Sequence, residues 1–130
     1  MNKYFQLNHT HFQYRIWRNE LELMKLETDF FLSITEEISR LEGTDREVKQ
    51  NWFINQFHHF QRLIKQIQGE LGRVEQELAE GVKEEKILNK EQKLDYQYLK
   101  DEMDYFEQDY RIVKAKFRDF IANSETISTE

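Results

Sequence analysis

The sequence predicts an all-α protein, an antiparallel up-down-up three-helix bundle with long, coiled-coil-like helices. Three observations carry that expectation. The 130 residues include no Pro and only 4 Gly, too few turn formers for a sandwich or barrel of many short strands. Apolar residues recur at alternating steps of four and three over long stretches, the 3.5-residue repeat of a helix with one buried seam. Helix punctuation falls at two internal places only. At this length one domain, 1–130, is expected.

The first helix is placed at 10–42, with Thr10 and Gln13 as its cap and residues 1–8 as a frayed tail. It carries two apolar stripes side by side. One holds Trp17, Leu21, Met24, Phe31 and Ile38; the other holds Ile16, Leu23, Phe30, Ile34 and Leu41. Gly43 suits the left-handed position after a helix, and Thr44 with Glu47 reads as a capping box for the next one.

The second helix, 45–81, has the clearest repeat: Phe53, Phe57, Phe60, Ile64, Ile67, Leu71, Val74 and Leu78 follow without a miss. Gly69 and Gly72 interrupt its surface, each weakening the helix by about 1 kcal/mol relative to Ala. They read either as a tolerated local weakness or as a place where another helix or ring comes close. A second break lies near Gly81-Val82-Lys83. The third helix, placed at 85–122, starts either at Glu84 or at Asn89 capping with Gln92. Its seam is Leu99, Met103, Phe106, Tyr110, Val113, Phe117 and Phe120, and 123–130 read as a second frayed tail. Short connections make consecutive helices antiparallel neighbours.

Composition narrows the function. Without Cys there is no disulfide, thiolate metal site or cysteine nucleophile. The net charge of −6 comes with no basic stripe, so no nucleic-acid partner is expected. The cluster Arg111, Lys114, Lys116 and Arg118 reads as a solvated helix face. No stretch is apolar enough for a membrane span or a signal peptide, and the polar faces are not basic enough for a membrane surface. A cytoplasmic location follows as the expectation. There is no Gly-rich phosphate loop and no serine in a nucleophile elbow.

Two function classes remain. The first is a non-enzymatic structural or protein-interaction bundle, without cofactor, that forms a homodimer and offers an acidic face to a protein partner. Surplus apolar residues support it, such as Leu94, Tyr98, Tyr105 and Ile112 beside the seam of the third helix. The alternative is a metal-binding bundle holding Fe, Mn or Zn, with possible oxygen or redox chemistry. Its ligands would come from the flanking stripes: Glu20 and Glu27, then His59, then Glu102 and Asp109. Threading up, down and up brings Glu27 level with His59 and Asp109, and Glu20 level with Gln66 and Glu102. The Glu-x-x-His signature of ferritin-like di-metal bundles is absent. Helical phase turns His59 rather than His58 inward, where a structural bond to Glu27 or Asp109 outweighs ligation. His9 and His11 read as a surface pair.

Overall fold

The computed structural model describes residues 3–39, 47–84 and 88–128, and it contains three helices: α1 (Lys3–Ser39), α2 (Glu47–Glu84) and α3 (Lys90–Ser128). Gly43 and Thr44 lie outside the described residues. Each helix has 37 to 39 residues, about 55–58 Å of rise.

Cross-helix pairs give the directions. Arg18 with Glu75, Gln68 with Glu22 and Gln61 with Asp29 run in opposite order along α1 and α2. Phe60 against Phe106 and Phe53 against Phe120 show the same inversion between α2 and α3. Trp17 against Tyr96 and Phe31 against Phe117 run in the same order, so α1 and α3 are parallel. The path is up, down, up. α2 packs closely on both neighbours, while the backbones of α1 and α3 stand further apart and are bridged by long side chains.

The seams of α2 and α3 are buried as their spacing predicts, from Phe53 to Leu78 and from Leu99 to Phe120. Aromatic rings fill the middle. Phe31, Phe53, Phe57, Phe117 and Phe120 form one cluster, and Phe60, Phe106 and Tyr110 continue it. Tyr14, Trp17 and Tyr96 form a second cluster in the other half.

The seam of α1 is longer than its apolar residues suggest. Leu7, Thr10, Tyr14, Trp17, Leu21, Met24, Thr28, Phe31, Thr35 and Ile38 keep the steps of three and four, and three of the ten are threonines. Thr10 is therefore a buried seam residue and not a cap, because the helix begins a full turn or more before it. Thr28 and Thr35 can be buried because each hydroxyl donates to a carbonyl of its own helix, Met24 O at 2.7 Å and Leu32 O at 2.6 Å. Gln50, one turn before Phe53, is buried as well; its amide donates to Thr35 O at 2.8 Å and ties the end of α1 to the start of α2.

Other boundaries move too. Residues 3–8 and 123–128, expected as tails, are helical, and α2 continues through Gly81 to Glu84. Between the two possible starts of the third helix, the structure has Asn89. Its side chain accepts from Gln92 N at 2.8 Å while Gln92 Oε1 accepts from Asn89 N at 2.9 Å, a reciprocal capping box. Beyond Gly69 and Gly72 there is open space, so neither glycine accommodates a neighbour within the chain.

Candidate functional site

Most of the groups with unusual electrostatics line the flanks of α3, on two separate edges of the bundle. On the α1 side, Glu20, Leu23, Met24 and Glu27 face Glu107, Tyr110, Arg111 and Lys114 across an open groove of about 330 Å³. Tyr110 belongs to the buried seam, and its phenol donates to Glu27 Oε1 at 2.6 Å. Lys114 Nζ lies 2.8 Å from Oε1 and 2.9 Å from Oε2 of the same carboxylate. Burial pushes the Glu27 carboxyl up, but the two hydrogen bonds and the charges of Lys114 and Arg118 outweigh it and hold it below the usual range. Burial and the Glu27 carboxylate push the Tyr110 phenol well above its ordinary value.

Less than two turns away, Glu107 hydrogen-bonds Glu20. Burial first, then this second carboxyl, raises Glu107 to about 7.

On the α2 side the arrangement recurs with different residues. Glu102 hydrogen-bonds Glu70 and accepts from Tyr98 OH at 2.9 Å. Burial and the Glu70 carboxyl raise Glu102 to about 7, against the opposing Tyr98 bond. One oxygen each of Glu70 and Glu102 is buried where no donor reaches it, which disfavours a charge on Glu102. Further along this edge, Lys49, Trp52, Phe53, Lys116, Asp119 and Phe120 line an open groove of about 430 Å³, with Lys116 Nζ 5.5 Å from the centre of the Trp52 ring.

The five residues considered as ligands divide between these edges. Glu20 and Glu27 share the α1 groove, where their neighbours are Glu107, Tyr110 and Lys114. Glu102 joins Glu70 on the far flank of α3. Asp109 is exposed, one turn from Tyr105 and two turns from Glu102. His59 is exposed rather than turned inward, as is His58, which pairs with Gln61 at 2.9 Å. Among the described residues no three His, Asp or Glu side chains stand close enough to hold one metal ion.

The threading by levels set Glu27 beside the Asp109–Tyr110 turn, where it lies, but Glu20 meets Glu107 and not Glu102. It lacked handedness. A third helix can sit on either side of the first two, and this choice decides whether Glu102 and Asp109 or Glu107 and Lys114 meet α1. Glu107, Lys114 and Glu70 were missed for that reason. The mixed flank Glu107, Arg111, Lys114, at steps of four and three, was the available signal.

No helix among the described residues is long and apolar enough to cross a membrane. No protein-family model matches the chain, and no curated protein or solved structure matches it either.

Proposed function

We propose that this chain is a non-enzymatic structural or protein-interaction bundle of the cytoplasm, working without a cofactor, that self-associates as a homodimer and offers an acidic flank to a protein partner. The observation that supports it best is the apolar surface left over once the core is full. Phe12, Leu23, Leu26 and Phe30 of α1 are all well exposed, as are Leu94, Tyr98, Tyr105 and Ile112 of α3, although all three seams are buried. Scattered exposed apolar residues are ordinary, but rows of them at helical spacing mark association. The perturbed carboxyls support the same reading: Glu27, Glu107 and Glu102 each engage a partner on another helix. Asp101, Asp104 and Asp109 make the exposed side of α3 acidic between the aromatic residues.

The test is the mass of the untagged protein by sedimentation equilibrium, with elemental analysis of the same sample purified without chelator. A metal-free dimer is expected. A monomer at several hundred micromolar overturns self-association, and stoichiometric iron, manganese or zinc overturns the cofactor-free reading.

A further inference from the structure

We infer that the back of α1 is the homotypic interface, pairing with α1 of a second copy of this chain side by side and in the same direction. This rests on the self-association proposed above and gives it a surface and an orientation. Phe12, Ile16, Asn19, Leu23, Leu26 and Phe30 follow steps of four, three, four, three and four. They form a second 3.5-residue seam, on the side of α1 turned away from Tyr14, Leu21 and Thr28. A helix with one partner face normally carries polar residues on its back. Here five of six positions are apolar, and the side chains of Phe12, Leu23, Leu26 and Phe30 are 59 to 67 % exposed.

The single polar member indicates both the occupant and its direction. A parallel copy in register sets Asn19 against Asn19 of its twin, where each amide both donates and accepts. The best antiparallel register sets Phe12 against Phe30 and leaves Asn19 facing Leu23, with an amide buried and unpaired. Charge agrees with the parallel arrangement. Arg15, on the flank of the seam next to Ile16, reaches Glu20 of the other copy, and the same pair forms twice by symmetry. The opposing pair, Glu22 with Glu27, is relieved because Lys114 already neutralises Glu27 within its own chain. The four most exposed seam residues would bury on the order of 500 Å² per copy, and their flanks bring this near the roughly 800 Å² per partner of a stable interface. The row on α3 is a weaker candidate, broken by Asp101 and by Gln108 and Asp109.

Two measurements on the full chain test this. Leu23→Lys with Leu26→Lys alters no buried seam residue, so helicity by circular dichroism should persist. The dissociation constant should rise roughly a thousandfold, as for two lost hot-spot side chains. Phe12→Cys in a chain that has no other Cys should oxidise to a covalent dimer, because parallel copies place the two thiols side by side. An antiparallel pair separates them by about 27 Å and forms no such bond. A dimer that survives the double lysine variant and is split by Tyr105→Lys instead overturns the α1 interface but leaves self-association standing. A wild-type monomer overturns both, and failure of the thiols to join in an intact dimer overturns the parallel direction.

Discussion

Tyr110 and Glu27, 83 positions apart, are joined by a 2.6 Å hydrogen bond that ties α3 to α1, the two helices whose backbones stand further apart than either stands from α2. The phenol is a seam residue and the carboxylate lies at the groove edge, so the bond runs from core to surface. Tyr110→Phe keeps the ring and removes the donor. It should lower the unfolding free energy by about 1 kcal/mol in urea titrations at pH 7. Glu27 is held below the ordinary carboxylate range, so its contribution is present above the unfolded value near 4.5 and is lost as pH falls through its lower native value. The gap between wild type and Tyr110→Phe should therefore narrow toward pH 3; a gap that stays constant would show that the charge on Glu27 is immaterial.

The two acid pairs have the opposite sign. Glu102 and Glu107 titrate near 7 in the folded chain, above their unfolded value. Their favourable contribution is complete below about pH 4.5 and disappears as pH rises through about 7. Glu102→Gln and Glu107→Gln should each raise the thermal midpoint at pH 8 and do nothing comparable at pH 5. Equal effects at both values would mean that neither Glu102 nor Glu107 titrates between them.

Gly69 and Gly72 lie on a helix with open space where a methyl group would go. Replacing each by Ala should stabilise the chain by roughly 0.5–1 kcal/mol. Loss of stability or of dimer mass would instead reveal a neighbour packed there in the assembled form.

The capping box of α3 is a local device with a local cost. Asn89→Ala should destabilise by about 1 kcal/mol, with Asn89→Asp close to neutral. Hydrogen exchange should quicken first at the amides of residues 90–93, and exchange unchanged at Gln92 would argue against the bond seen there.

The three helices were legible because a seam of large apolar side chains imposes its period directly on the sequence, as in Phe53 to Leu78. The seam of α1 was only partly so. Thr10, Thr28 and Thr35 look polar in a sequence, and only the structure shows hydroxyls of Thr28 and Thr35 folded back on carbonyls while the residues pack as small apolar ones. Gln50 is hidden in the same way, since its burial depends on Thr35 O at the far end of another helix. The flanks of α3 needed the hand of the bundle, which a heptad pattern does not encode. His59 was turned inward by phase although its stripe lies beyond the edge of the core.

The two tryptophans sit in different halves of the bundle and in contrasting surroundings: Trp17 is 7 % exposed and stacked on Tyr96, whereas Trp52 is 41 % exposed beneath Lys116. Their emission should therefore differ in colour, blue-shifted for the first and nearer the red for the second. The chain thus carries a lamp in each half, and variants keeping one lamp at a time would show which half of the rod comes apart first.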